Sequence, residues 1–222
     1  MKKTLKFEEE KSKSGIENQL MIFLHGYGAN GADLLSISNS LKNYFPDMTF
    51  LAPNAPFNCL GIPGGYKWFD LPWLDGSQEE DFERTFNQSI EIFNEWLTYQ
   101  INLREVEDKN VYFFGFSQGT MLSFHSATVR EKCLGGVLGF SGKLIKSEMF
   151  KDRIKSKCPF LLVHGDQDEV VPYQNSQYAY KFLKENKFNV DFIITKGVGH
   201  GISPEGLQVA LTFLNKFLNK IK

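Results

Sequence analysis

The sequence predicts an α/β fold in which a mainly parallel sheet is covered by helices on both faces. Short apolar runs alternate with helical patterns along the whole chain, as in parallel strands joined by helical crossovers. No linker, repeat or low-complexity tract interrupts this alternation, so residues 1–222 are expected to form a single domain. The predicted strands are 20–24, 48–52, 111–115, 134–140, 159–163 and 190–195, and the predicted helices are 32–44, 79–104, 117–130, 173–186 and 204–219.

Composition excludes several classes of protein. With 42% hydrophobic and 23% charged residues the chain is globular and not disordered. A net charge of −1 provides no electrostatic footprint for nucleic acid or an anionic membrane. No apolar run approaches the length of a membrane span, and the basic start at residues 1–11 lacks the apolar stretch of a signal peptide. Cys59, Cys133 and Cys158 are odd in number and widely spaced, which favours reduced thiols and a cytoplasmic location.

A glycine-containing loop follows the first predicted strand. The apolar run 20–24 leads into His25-Gly-Tyr-Gly-Ala-Asn-Gly31. Gly26 and Gly28 allow main-chain amides to turn towards a ligand. A phosphate loop is one interpretation, but no Gly-Lys-Ser/Thr follows, and Gly-x-Gly alone is a weak signal for nucleotide binding.

The next segment, residues 54–78, has little regular pattern but is rich in aromatic residues. Loops of this length are usually functional or disordered, and so many large apolar side chains argue against disorder. We expect Trp68, Phe69 and Trp73 to form an apolar wall that favours an acyl chain over a sugar or a peptide. The alternative is a loop that only packs down on the sheet.

The most informative stretch is Val111-Tyr-Phe-Phe-Gly-Phe-Ser-Gln-Gly119. An unbroken apolar run predicts a strand buried on both faces, and helical spacing of apolar residues follows. Gly-x-Ser-x-Gly at a strand-to-helix junction is the nucleophile elbow, in which glycines let strand and helix cross closely beside a strained serine. Ser117 is therefore predicted to be a nucleophile.

A serine nucleophile needs a base, and the base needs an orienting acid. In this arrangement the order along the chain is serine, acid, histidine. Among the four histidines, His25 and His164 precede glycines at strand ends, where structural hydrogen bonds are common, and His125 lies on the helix after the elbow. His200 lies between glycines on a loop after a strand, and it is the predicted base.

The acid lies in the loop His164-Gly-Asp-Gln-Asp-Glu-Val-Val-Pro172. Asp166 directly follows His-Gly and suits a turn, whereas Asp168 is two residues further out and better placed to reach the loop that carries His200. We therefore favour Asp168 over Asp166 and Glu169. The spacing of these carboxylates does not match an EF-hand, and no paired histidine follows, so a metal site is disfavoured.

An oxyanion hole would complete the site. One donor is expected to be the main-chain N–H of Gln118, the residue after the nucleophile, and the other to come from an early strand-to-helix loop. The glycine loop after the first strand supplies that position, and Tyr27 is the predicted second donor.

These residues give the chain a resemblance to the phospholipase/carboxylesterase family of α/β-hydrolases, which includes the acyl-protein thioesterases. The resemblance implies an α/β-hydrolase fold with Ser117 as nucleophile, Asp168 as acid, His200 as base, Tyr27 and Gln118 as oxyanion donors, and Trp68 near the substrate entrance. The matching segments are Phe23-Leu-His-Gly-Tyr-Gly28, Leu51-Ala-Pro53, Trp68-Phe-Asp70, Gly115-Phe-Ser-Gln-Gly119, His164-Gly-Asp-Gln-Asp-Glu-Val-Val-Pro172 and Gly197-Val-Gly-His200.

Two positions depart from the family's pattern. Thr120 stands where a second glycine after the elbow is common, which predicts a helix slightly further from the sheet. Tyr27 stands where leucine is common, which predicts a narrower acyl pocket. Both departures concern substrate preference and not the class of reaction.

The expected reaction is hydrolysis of a small-molecule carboxylic ester or thioester with a short to medium acyl chain, through an acyl-enzyme and without metal or organic cofactor. Lysophospholipase and acyl-protein thioesterase activities are alternatives that would use the same site. A peptidase is less favoured because no cap domain or peptide-binding feature is visible. A non-enzymatic ligand receptor is disfavoured because no triad residue is missing. The sequence leaves open whether the chain forms a homodimer.

Overall fold

The computed structural model describes residues 4–218 of the chain, and within them seven strands form one sheet. The strands of this sheet are β1 (Phe7–Glu10), β2 (Gln19–Leu24), β3 (Met48–Pro53), β6 (Val111–Phe116), β7 (Gly136–Phe140), β8 (Phe160–Gly165) and β9 (Val190–Thr195). They lie in the order β1-β3-β2-β6-β7-β8-β9, and all neighbouring strands are parallel except β1, which pairs antiparallel with β3 at one edge. The remaining two, β4 (Phe57–Asn58) and β5 (Tyr66–Lys67), form a separate small hairpin.

Helices cover both faces of the sheet, which confirms the predicted fold class. They are α1 (Gly31–Leu35), α2 (Ser38–Leu41), α3 (Pro72–Asp75), α4 (Glu79–Leu103), α5 (Gln118–Thr128), α6 (Ser147–Asp152), α7 (Gln174–Glu185) and α8 (Pro204–Leu218), with a 3₁₀ turn at Asp108–Asn110. Successive residues of β2 enter two different hydrophobic clusters. Ile22 and Leu24 pack with α4, α5 and α7, whereas Met21 and Phe23 pack on the other face with α1, α2 and α8. Burial on both faces explains why this strand reads as an unbroken apolar run.

The structure differs from the sequence prediction in its short elements. The predicted helix 32–44 is two short helices, and Ser36, which lies between them, donates its hydroxyl to the carbonyl of Asp33 at 3.1 Å. Such local side-chain bonds compete with helix propagation. Strand β1, the hairpin, α3 and α6 were not predicted. Residue 219 of the last predicted helix and residues 1–3 of the basic start lie outside the described residues.

No helix within residues 4–218 is both long enough and apolar enough to cross a membrane. The loops after β6, β8 and β9 carry Ser117, Asp168 and His200, and all three loops leave the same carboxyl edge of the sheet. In open α/β sheets ligands bind outside that edge.

Candidate active site

Ser117 occupies a strained turn between β6 and α5. Its main chain has φ 51° and ψ −115°, a conformation that non-glycine residues rarely adopt. The two flanking glycines are required by close packing. A Cβ at Gly115 would lie 2.7 Å from the Thr120 nitrogen, and a Cβ at Gly119 would collide with the carbonyl oxygen of Leu24. The local sequence thus folds as the elbow that its spacing predicted.

Thr120 fits beneath the elbow because glycines face it. Its hydroxyl donates to the carbonyl of Phe140 at 2.8 Å, and the residue is 1% exposed. A Cβ at Gly139 would lie 2.6 Å from the Thr120 methyl group, and one at Gly142 would also clash with Thr120. Thr120 is therefore accommodated because glycines, which have no side chain, face it at position 139 on β7 and position 142 after it.

Asp168 and His200 meet although they belong to different loops. The Nδ1 of His200 lies 2.8 Å from Oδ2 of Asp168, while Oδ1 accepts the main-chain N–H groups of Val170 and Val171 at 2.9 and 2.8 Å. The Asp168 side chain is fully buried, and 19% of the His200 side chain is exposed. Because a carboxylate can only accept, Nδ1 of His200 carries the hydrogen and Nε2 is left with a free lone pair.

The environment of Asp168 stabilises its ionised form. Burial alone raises the pKa of this carboxyl, but hydrogen bonds from the Val171 N–H and from His200, together with the nearby imidazoles, outweigh burial and lower the pKa below its usual value. Asp168 is therefore a carboxylate at neutral pH, as an orienting acid requires.

Asp166 has a different role in the same loop. Its Oδ1 accepts the main-chain N–H of Gly197 at 2.7 Å, and its own N–H donates to the carbonyl of Thr195 at 3.0 Å. It therefore ties the two loops together without contacting an imidazole.

Ser117 and His200 lie on adjacent parts of the site. The ring of Phe116, the residue before the serine, is 4.9 Å from the His200 ring between centroids. Within residues 4–218 the Ser117 hydroxyl makes no hydrogen bond. Catalytic hydrogen bonds are often long in ligand-free enzymes and shorten when substrate binds.

The glycine loop is held against the small hairpin. Gly28, at φ 77°, donates to the carbonyl of Tyr66 at 2.9 Å, and Tyr66 donates back to Ala29 at 2.8 Å. Among the described residues, neither the Tyr27 nor the Gln118 main-chain N–H donates to a protein acceptor. Two amides left unpaired in this way are what an oxyanion hole needs.

The Tyr27 side chain is anchored at Asp75, at the end of α3. The phenol donates to Oδ2 of Asp75 at 3.1 Å, and Lys67 lies 3.2 Å from the same oxygen. Lys67 also pairs with Asp70. Although partial burial raises it, the pKa of Asp75 is lowered overall by hydrogen bonds from Ser77, Leu71 and Lys67. Nothing in the local sequence indicated that Asp75 bonds Tyr27, because the two residues are 48 positions apart.

The aromatic segment is divided between the core and the surface. Trp68 and Phe69 are fully enclosed by protein at 0% exposure, whereas Trp73 is 56% exposed. The ring of Trp73 is covered on one side by Lys143, whose Nζ lies 3.7 Å from the ring centroid. The predictions that Trp68 lies at the substrate entrance and that Phe69 lines the site therefore differ from the observed placement, since neither side chain reaches open space.

The other three histidines are buried. His25 accepts the Ala55 N–H at 3.0 Å through Nε2 and contacts the Gly26 carbonyl through Nδ1, as a structural histidine would. His125 packs on α5 with Nε2 2.9 Å from the Ile145 carbonyl. Burial lowers the pKa of both rings to about 4. His164 also makes structural hydrogen bonds, but one of them reaches Asp168, which its position in the sequence did not reveal.

In the described part of the chain, no cluster of three or more His, Cys, Asp or Glu side chains is arranged to hold a metal ion.

Comparison with known proteins gives consistent matches over nearly the whole chain. The profile of the family described as Phospholipase/Carboxylesterase matches residues 7–218. Acyl-protein thioesterase 1 homolog 1 of Dictyostelium discoideum is 31% identical over 208 residues, which are 90% of this chain and 91% of that protein. The crystal structure of esterase PE8 is 32% identical with a TM-score of 0.91 and covers 96% of this chain and 99% of its own. The structure of Arabidopsis thaliana SOBER1 is 27% identical with a TM-score of 0.78, and the match covers 90% of this chain and 99% of that one.

Proposed function

The chain belongs to the phospholipase/carboxylesterase family, and from that premise we propose that Ser117, Asp168 and His200 form the catalytic triad of a serine esterase or thioesterase. The proposed substrates are small-molecule carboxylic esters or thioesters with short to medium acyl chains. One observation carries the proposal. The strained Ser117 lies at the same sheet edge as a buried carboxylate that holds Nδ1 of His200 at 2.8 Å, which leaves Nε2 of that ring free to act as base.

The reaction follows from these positions. His200 Nε2 takes the proton of Ser117 as its oxygen attacks the acyl carbon, and Asp168 holds the imidazole in the required tautomer and supports its positive charge. The main-chain N–H groups of Tyr27 and Gln118 stabilise the oxyanion, a contribution of about 10²- to 10³-fold per donor. His200 then protonates the leaving group. A water molecule, deprotonated by His200, attacks the acyl-enzyme in the same way and releases the carboxylic acid product from Ser117.

The decisive experiment is Ser117→Ala. Loss of the nucleophile should lower kcat by about 10⁶-fold, and a fluorophosphonate should label the wild type at Ser117 alone. Ser126→Ala is the matched control, because its hydroxyl is buried on α5, the helix that follows Ser117, and has no partner in the described part of the chain. That variant should keep activity and labelling. A Ser117→Ala enzyme that retained more than a few per cent of wild-type turnover would overturn the assignment.

Acyl-protein thioesterase activity is the second candidate, and lysophospholipase activity would use the same site. The Dictyostelium relative is named an acyl-protein thioesterase 1 homolog. In addition, large apolar side chains are exposed on the segment that contains the hairpin and α3. They are Leu60 (96%), Ile62 (44%), Trp73 (56%) and Leu74 (57%). Activity on an S-acylated peptide, measured beside a lysophospholipid and a butyrate ester, separates the candidates.

We also propose a cytoplasmic location, which the three free thiols support, and leave a homodimer as a further proposal that light scattering would test. Fractionation of cells that express the protein tests the location.

A further inference from the structure

Two histidines, not one, are hydrogen-bonded to the carboxylate of Asp168. Nδ1 of His200 lies 2.8 Å from Oδ2, and Nε2 of His164 lies 3.0 Å from the same oxygen. We propose that His164 is a positioning residue which holds the Asp168 carboxylate and, by sharing Oδ2, sets the basicity of His200. This inference rests on the proposed function, in which Asp168 and His200 are the acid and the base.

The position of the hydrogen on His164 follows from its neighbours. Nε2 faces two acceptors, Oδ2 of Asp168 and the Val171 carbonyl at 2.7 Å, so it must carry a hydrogen in every protonation state. Nδ1 lies 2.7 Å from the hydroxyl of Ser176, which also lies 3.0 Å from the Gly142 carbonyl. In a neutral ring Nδ1 has no hydrogen, so the Ser176 hydroxyl must donate to it. In a charged ring Nδ1 carries a hydrogen and donates to the Ser176 oxygen, and the hydroxyl donates to the Gly142 carbonyl instead. In both cases the N–H directed at Asp168 remains.

The surroundings favour the neutral ring. The His164 side chain has no exposed area, and burial lowers its pKa more than the Val171 carbonyl and Asp168 raise it. Asp168 and His200 are the ionisable groups that act on the ring, while Ser176 from α7, Gly142 from the loop after β7 and Val171 from the loop after β8 are neutral. His164 is thus a fixed, uncharged donor.

A second donor on one carboxylate oxygen has two consequences. It withdraws part of the charge that Oδ2 offers to the His200 N–H, which makes the charged form of His200 less favourable. It also completes the set of four donors on Asp168, two on each oxygen, and so prevents rotation of the carboxylate. Removal of His164 should therefore make His200 titrate at higher pH and should also slow turnover through a less ordered acid.

Three substitutions at His164 separate the donor from the volume of the ring. The amide nitrogen of His164→Gln reaches the position of Nε2 and retains the donor, that of His164→Asn reaches only towards Ser176, and His164→Phe keeps the ring shape with no donor. We measure the acid limb of kcat/KM against pH, and the NMR titration of the His200 ring signals, which requires no turnover. In the Phe and Asn variants, the acid limb and the NMR titration should each shift to higher pH by about half a pH unit to one pH unit, the effect of one neutral hydrogen bond. Turnover should fall about tenfold. For Gln both should stay near wild type.

The comparison of Asn with Gln stands even where the Phe variant does not fold. His125→Phe is the control, since His125 is equally buried but contacts Ile145 and not Asp168. It should leave both titrations unchanged. Asn and Phe variants that titrate as wild type would show that His164 only packs, and would overturn the inference without affecting the Ser117 assignment. Conversely, a failed Ser117→Ala test would leave the NMR result readable.

Discussion

The side chain of Gln118 is hydrogen-bonded to the main chain of Trp68. Its Oε1 accepts the Trp68 N–H at 2.8 Å, and its Nε2 donates to the following carbonyl, that of Phe69, at 2.7 Å. The indole of Trp68 in turn donates to the carbonyl of His25 at 2.9 Å. The residue after the proposed nucleophile is therefore joined, through a buried tryptophan, to the loop that carries the other proposed oxyanion donor.

Replacement of Gln118 by methionine should weaken both the fold and catalysis. The substitution leaves one buried N–H and one buried carbonyl without partners, at a cost of about 2–4 kcal/mol in the free energy of unfolding. Urea denaturation measures this loss, and kcat should fall with it because the Gln118 main-chain N–H is less well held. Gln208→Met, on the exposed face of α8, should change stability by less than about 0.5 kcal/mol. Equal effects at both positions would contradict the proposed role of the amide.

The hydrogen bond between Tyr27 and Asp75 should affect binding of the transition state more than binding of the substrate. Tyr27→Phe removes only the phenol oxygen that bonds Asp75 at 3.1 Å. We expect kcat to fall about fivefold, the effect of about 1 kcal/mol, with little change in KM. The affinity of a trifluoromethyl ketone should fall in parallel, since it forms an oxyanion. Tyr44→Phe, at an exposed tyrosine, is the control. A change in KM alone would assign Tyr27 to substrate binding instead.

The two aspartates of the loop after β8 should respond differently to substitution. Asp168→Asn should lower kcat by about 10⁴-fold, because an amide favours the wrong tautomer of His200. Asp166→Asn should cost far less turnover but should lower Tm, since it replaces the charged acceptor of the Gly197 N–H, 2.7 Å away, with a weaker neutral one. Steady-state kinetics and thermal unfolding of both variants check this ranking. The reverse order would transfer the acid role to Asp166.

Acyl-chain preference tests the apolar wall at Trp73. On p-nitrophenyl esters, kcat/KM should rise about fourfold per methylene, or about 0.8 kcal/mol, to an optimum at about four to eight carbons. Trp73→Ala should flatten this rise and leave acetyl-ester turnover within a fewfold, while Leu103→Ala, exposed at the end of α4, should change neither. A flat profile in the wild type would mean that Trp73 only packs, and an optimum at long chains would favour a lipid or acyl-protein substrate.

Trp68→Ala should instead lower the free energy of unfolding, by about 3–5 kcal/mol, because Trp68 is a core residue.

Acid should destabilise the protein through two buried histidines that are not members of the proposed triad. Burial lowers the pKa of His25 and of His125 to about 4, against about 6.5 in an unfolded chain. Between these values the unfolded state binds more protons, so the free energy of unfolding falls as the pH is lowered, by about 3 kcal/mol per ring at pH 4. Urea titrations at pH 7.5, 5.5 and 4 measure the slope. His125→Phe should remove about half of this contribution, and an unchanged slope would mean that burial does not lower the pKa of the His125 ring.

How far the sequence predicts the fold depends on how each element is buried. Strands buried on both faces, such as β2 and β6, are unbroken apolar runs and were predicted within a residue or two. Strand β1 has the sequence Phe-Glu-Glu-Glu and lies at the antiparallel edge, where partial exposure removes the apolar pattern. Helices α3 and α6, of four and six residues, are too short to show a helical period.

In the candidate site, too, some features could be predicted from the sequence and others could not. Ser117, Asp168 and His200 could be selected because each follows an apolar strand, and parallel strands bring such positions to one edge. The bond between His164 and Asp168 and the anchoring of Tyr27 by Asp75 depend on side-chain directions that no spacing reveals. The burial of Trp68 could not be distinguished from a place on an exposed wall, because an irregular loop has no period that separates inside from outside.

The order of the strands also bears on when the protein becomes active during its synthesis. Ser117 and Asp168 are already present when a ribosome completes the loop after β8, but His200 follows β9, an edge strand of the sheet. A nascent chain thus contains the proposed nucleophile and acid for some time without the proposed base, and it should be inert towards esters until β9 joins the edge. Division of the gene before the codon for Val190 would then give two silent halves, whose reunion would report on assembly of that last edge.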